Sequence, residues 1–339
     1  MLGHHREPKN AAPNRSIRRQ QAARAEFNRQ AKPARTYLGS RMSNRFGVLA
    51  ALASSALGGF SGAITRYLTP WSDPVTLAAF RFGIAVVLLL PIAFVLGSRR
   101  PQGKDLYASC ALGTLYFAIF FFLYNFSLSM TTAARGSLAL ATLPLTTMLV
   151  GAALGKEPLS MRKSAGVLIA VLGVASALAS GLADAPAGAW RGDLVMVGAT
   201  LLMALYTVWS RAFVARSSRL GFLTTGMGAG ALVSVSFAAL SGGFAVLPTW
   251  QLPQWAAAVS LGVLGGAAAF YLWVLALEHT TPTRVANTMT INPVAAASLA
   301  LVLVGEPIGM NLLVGIAAVG VGIWLASTES KTVAQSSVA

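Results

Sequence analysis

Arg81 lies seven residues beyond Pro74 in an otherwise apolar stretch, ~10 Å of helix rise from its end. A guanidinium inside hydrocarbon is costly and calls for a partner or a task. Its candidate partners are Asp73, backbone carbonyls, or the carboxylate or phosphate of a solute, which arginine's planar fork suits; the competing reading is a side chain that snorkels outward or pairs within the protein. A second polar group surrounds Pro293, where Asn287, Thr290 and Asn292 interrupt another apolar stretch. Asn287 and Thr290, with the carbonyls beside the proline, fall on one side at helical spacing and can hydrogen-bond a polar solute, or else a neighbouring helix. Tyr124, Asn125, Tyr206 and Tyr271 add polar-tipped groups suited to a cavity for a partly apolar metabolite, although such rings are also common packing residues.

What is missing narrows the chemistry. Every Asp and Glu lies outside the cores of the apolar stretches, there is one cysteine, Cys110, and of three histidines two (His4, His5) fall in the N-terminal tail. A carboxylate proton relay, a Cys/His metal site and a bound cofactor are therefore not expected.

These side chains need elements that hold them in a membrane. The 339 residues are 55% hydrophobic and 11% charged, with a mean hydropathy of +0.64, which points to the bilayer as solvent. Ten stretches approach the ~20 residues that span it: 46–65, 74–97, 106–128, 133–154, 163–182, 193–213, 220–243, 255–277, 285–304 and 308–327. Lys and Arg concentrate on alternate connections, which places both termini in the cytoplasm, and Trp71, Trp190, Trp250 and Trp255 fall at the opposite ends, where the headgroup layer favours them. Residues 1–45 carry eleven Lys/Arg against two acids. They read as a disordered cytoplasmic tail, with Met42 as an alternative start; a nucleic-acid partner is not expected, for want of clustered aromatics.

The sequence also repeats itself. Glu157, Pro158, Met161, Gly166 and Gly173 recur as Glu306, Pro307, Met310, Gly315 and Gly322, each 149 residues later, and the same offset joins Leu112-Gly113 to Leu261-Gly262, Arg135 to Arg284 and Pro144 to Pro293. The prediction is an all-α polytopic membrane protein with ten transmembrane helices in two five-helix units, 46–182 and 191–328, followed by a short cytoplasmic tail, 329–339. Because five is odd, the units enter the membrane in opposite senses, an arrangement that secondary transporters use around a midplane site. Pro144 and Pro293 are expected to bend their helices and shape the cavity. Glu157-Pro158 and Glu306-Pro307 are expected to start the fifth and tenth helices, proline in the first turn and glutamate at the positive end.

The doubled pattern resembles the ten-helix EamA family of the drug/metabolite transporter superfamily: an arginine ending the first helix, Pro74 with Arg81 in the second, Phe121-Phe122-Leu123-Tyr124 in the third, and Glu-Pro followed by spaced glycines into the fifth. It departs where the second unit reads Gly226 to Gly230, GMGAG, without an arginine matching Arg81. The resemblance implies an inner-membrane exporter of an amino acid, a related metabolite or a drug, in contact with lipid. Catalysis is not expected, since the scarcity of Cys, His and in-span acids argues against the alternative of an integral-membrane enzyme; a non-transporting sensor or lipid-handling protein, and a homodimer, stay open at this point.

Overall fold

The structure is a computed structural model that describes residues 45–155, 161–181, 185–214, 217–279, 285 and 288–327. Gly47–Ala339 form one unit, distinct from Met1–Phe46. Regular structure among the described residues is entirely helical. Seven helices are long and apolar enough to cross a bilayer: α1 (Arg45–Leu68), α2 (Pro74–Val95), α3 (Lys104–Met130), α4 (Ala133–Ala153), α6 (Ala189–Val214), α7 (Arg219–Leu240) and α8 (Leu252–Ala276). Three further helices with shorter apolar stretches lie at the other expected positions: α5 (Met161–Ser180), α9 (Thr288–Val304) and α10 (Met310–Ser327). Val87, Phe94, Leu232 and Val302 are exposed, as side chains facing lipid would be.

Local chemistry starts these helices where it should. Asp73 caps α2, accepting from the amides of Val75 and Thr76 at 2.9 and 3.0 Å, with Pro74 directly behind it. Thr132 and Ser218 cap α4 and α7 through the amides of Arg135 and Gly221. The Asp73 carboxylate is thereby committed to a helix start, so it is not the partner of Arg81.

Four of these helices, α3, α4, α8 and α9, are irregular. In α3 the turn Thr114–Phe120 is π-helical, and in α8 so is Leu261–Ala268. The offset of 149 residues lays one over the other. A π turn is wider than an α turn and leaves a backbone carbonyl free for another donor. Helix α4 stops at Leu140 and restarts at Leu143, and α9 opens with a 3₁₀ turn, Thr288–Ile291, before its α-helical part begins at Asn292. Pro144 and Pro293 sit in the first turn of the restarted segments. The expected bends are therefore breaks: each proline begins a half-helix, where its missing N–H takes nothing from the ladder.

Packing explains the repeated glycines. Helices α5 and α10 lie against each other through them, a Cβ on Gly173 meeting Ala318 and one on Gly322 coming within 2.6 Å of the Gly166 carbonyl. This is the close small-residue contact by which helices associate in lipid. The departure at Gly226 has a packing cause as well. Its backbone touches that of Gly113 on α3, so an arginine at that position would have no room.

The expected helix start at Glu306 and Pro307 is corrected. Gly305, left-handed at φ 68°, ends α9, and α10 begins only at Met310. The Glu306 carboxylate instead accepts from the Ala133 amide at 3.0 Å, at the start of α4, and from Arg66 Nε at 2.9 Å. Acid at a helix N-terminus is sound chemistry; the helix served is a distant one. Glu157 and Pro158 lie outside the described residues.

Candidate functional site

Arg81, Tyr124 and Ser61 lie seven, six and seven residues from the same ends of α2, α3 and α1, so they share one level. Arg81 is 4% exposed. Its Nε and Nη2 both donate to the Gly265 carbonyl, at 3.3 and 3.0 Å. Gly265 belongs to the π turn of α8, which offers that carbonyl outward. The guanidinium carbon stands 4.5 Å from the centre of the Phe121 ring and 5.9 Å from that of Tyr124, within cation–π range. Nη1 has no hydrogen-bond partner among the described residues.

Helix α1 passes beside this cluster on its small residues. The Tyr124 hydroxyl would lie 2.9 Å and Ser137 Oγ 3.3 Å from a Cβ on Gly62, so both reach the helix only because that residue is glycine. Ser61 Oγ lies directly against Gly265, and the Asn292 side chain against Gly58. Below them α1 is tied to its neighbours by Ser54 Oγ donating to the Ala269 carbonyl at 2.7 Å and by Ser55 and Thr288 sharing a 2.8 Å bond. Buried oxygens without a partner stand on α1 and against it: Thr65 Oγ1 on α1 itself, Ser137 Oγ on α4 and Asn292 Oδ1 on α9. Such atoms are uncommon in folded proteins, and each asks for a ligand or water.

The other predicted residues divide. Tyr124 and Asn292 join the α1 layer. Asn125 is fully buried and donates to the Pro74 carbonyl at 2.8 Å, fastening α3 to the start of α2. Tyr206 stacks on Tyr116 at 4.4 Å between centroids and 15° between planes, within an aromatic core that includes Phe82, Phe117, Phe120 and Phe270. Tyr271 is half-buried against the same core. Thr290 is half-buried, and Asn287 lies outside the described residues. Sequence reading missed Ser61, Ser137, Tyr116 and Gly265. For Gly265 the only available signal was the run Gly265-Gly266, whose meaning depends on the π turn around it.

At the helix ends on the side of the Leu68 terminus, charge is paired. Arg66 meets Glu306 at 2.9 Å and also donates to the Leu128 carbonyl at 3.2 Å. Arg135 donates to Asp193 Oδ2 at 2.5 Å and to the Leu178 carbonyl at 2.7 Å, while Thr131 holds Asp193 Oδ1 at 2.8 Å. Neither acid reaches Arg81.

The EamA-like transporter family model matches residues 45–179 and again 190–328. The chain belongs to the EamA-like transporter family. It is thus a multi-pass membrane protein with a transporter role, whose expected partners are a small-molecule substrate and lipid. A protein of Bacillus subtilis named "Uncharacterized transporter YyaM" is 23% identical over 275 residues, covering 79% of this chain and 90% of its own. One of Streptantibioticus cattleyicolor, named "Probable terminal-alkyne amino-acid exporter", is 28% identical over 232 residues, covering 68% and 76%. A protein crystal structure aligns with a TM-score of 0.60 over 85% of this chain and 97% of its own, at 22% identity; it supports the fold alone.

Proposed function

We propose that the chain is a secondary transporter that exports a small organic metabolite of amino-acid type across the inner membrane, both termini in the cytoplasm. Two inverted five-helix halves, 46–182 and 191–328, would expose one central site alternately to either side. The observation that carries this reading is the collection of buried, unpartnered polar atoms beside α1: Arg81 Nη1, Ser137 Oγ, Thr65 Oγ1 and Asn292 Oδ1. They lie in the part of the chain where α4 and α9 are broken and α3 and α8 carry wide turns. Irregular backbone at membrane depth is tolerated where it lines a cavity or is covered by protein. Arg81, Tyr124, Asn292 and Thr290 are the proposed solute contacts, and Asn287, outside the described residues, is proposed with them from its position in the sequence before Pro293. Asn125, Tyr206 and Tyr271 support this layer from the aromatic core. The exporter named among the relatives favours amino-acid chemistry and outward movement.

The test is a comparison of metabolites retained and released by cells with and without the gene. Export predicts at least one amino-acid-type compound accumulating inside the deletion strain and outside an overexpressing one. Identical profiles in both strains would sink the proposal.

A further inference from the structure

We infer that Arg81 is the recognition site for a carboxylate on the transported solute, so that the substrate itself supplies the countercharge that the protein does not. This rests on the transporter reading above and narrows it to a class of substrate: a solute that presents a carboxylate beside an apolar or aromatic side chain, neutral amino acids included.

The guanidinium's bonds define which edge is available. Nε and Nη2 form the side edge of the fork, and both converge on one oxygen, that of Gly265. The end edge, made of Nη1 and the second N–H of Nη2, is the other face that takes a carboxylate through two parallel bonds. Nη1 on that edge has no partner among the described residues and is buried with the rest of the side chain, 4% exposed. A neutral carbonyl fixes the orientation of the guanidinium and leaves its charge uncompensated.

Charge is the second argument. A buried cation without an anion is strongly unfavourable, and two arginines nearer the helix ends avoid this: Arg66 has Glu306 and Arg135 has Asp193. Arg81 has neither of these nor Asp73, whose carboxylate caps α2. Its surroundings are the rings of Phe82, Phe121 and Tyr124, the Tyr124 hydroxyl, and the hydroxyl of Ser61 beside Gly265. The ring faces can hold an α-ammonium carried beside a carboxylate, whereas a bare amine would meet the guanidinium with no anion to offset its charge. A phosphate dianion would ask for a second cation at this level, and none of the described contacts of Arg81 supplies one. A single guanidinium flanked by rings fits a carboxylate carried on an apolar frame.

The experiment uses the full chain purified in lipid nanodiscs, with matched probes: L-leucine, L-phenylalanine and L-propargylglycine, each against the amine that lacks its carboxylate, and inorganic phosphate. Thermal unfolding of the wild type needs no variant. At least one amino acid is expected to raise the unfolding temperature while its amine and phosphate leave it unchanged. In Arg81→Gln that shift should disappear, a loss of at least ~10-fold in affinity, and Arg81→Lys should recover part of it. Stabilisation by the amines, no stabilisation by any carboxylated probe, or an unchanged response in a folded Arg81→Gln protein would overturn the inference. Flux of the same probes in proteoliposomes separates the two levels. Amines that move while carboxylates do not would leave the transporter standing and remove Arg81 from substrate recognition.

Discussion

Arg135 and Arg81 are both buried, 6% and 4% exposed, yet one is surrounded by answers to its charge and the other is not. Arg135 joins α4 to α6 through Asp193 and to α5 through the Leu178 carbonyl. Thr131 and the Ser127–Gly192 bond at 2.8 Å draw the end of α3 to the same stretch of α6. Arg81 holds one carbonyl and lies against three ring faces. Both guanidiniums keep buried nitrogens without a partner, Nε and Nη1 in Arg135 and Nη1 in Arg81, so the distinction lies in charge: an arginine with its anion fixes helices, and one at depth without an anion is left open to the anion of a solute. It follows that the two sites should respond oppositely to loss of charge.

The largest expected effect on stability is at the paired end. Asp193→Ala leaves the Arg135 guanidinium buried without an anion and should destabilise the fold by ~3–5 kcal/mol, read as a fall in folded yield and unfolding temperature. Replacing both partners, Arg135→Met with Asp193→Leu, should recover most of that loss; no recovery would mean that the pair is not acting as a unit. Next comes Glu306→Gln, which keeps an acceptor for the Ala133 amide but weakens the half-buried pair with Arg66, at a cost of ~1 kcal/mol. A cost as large as that of Asp193→Ala would show that the two ends of the comparison had been ranked wrongly. The smallest stability effect belongs to Arg81→Met, which removes an uncompensated charge and should leave unfolding unchanged or slightly delayed while transport is lost. A collapse of folded protein in that variant would move Arg81 to the structural side.

These contrasts were only partly legible in the sequence. The depth of Arg81, the prolines 144 and 293 and the repeat of glycines depend on position along the chain, so counting residues found them. The partners did not follow from counting. Asp73 looked available to Arg81 because it is near in sequence, but the cap of its own helix claimed it. Glu306 looked like a local helix start, whereas its carboxylate reaches Ala133 and Arg66, 173 and 240 residues away. Gly265 could not be named at all, because a backbone carbonyl becomes an acceptor only where the helix widens, and a π turn has no dependable residue signature. Breaks were underestimated for a related reason: a proline in mid-stretch announces a disturbance without saying whether the helix bends or stops.

The paired wide turns also mark where these helices can absorb a change in length. A π turn closes over one residue more than an α turn, so a helix can take in or give up a residue there while the hydrogen-bond ladder on either side is kept. In α8 that turn spans Leu261–Ala268 and includes Gly265, whose carbonyl holds Arg81. The guanidinium is thus oriented by the part of α8 whose winding is easiest to change.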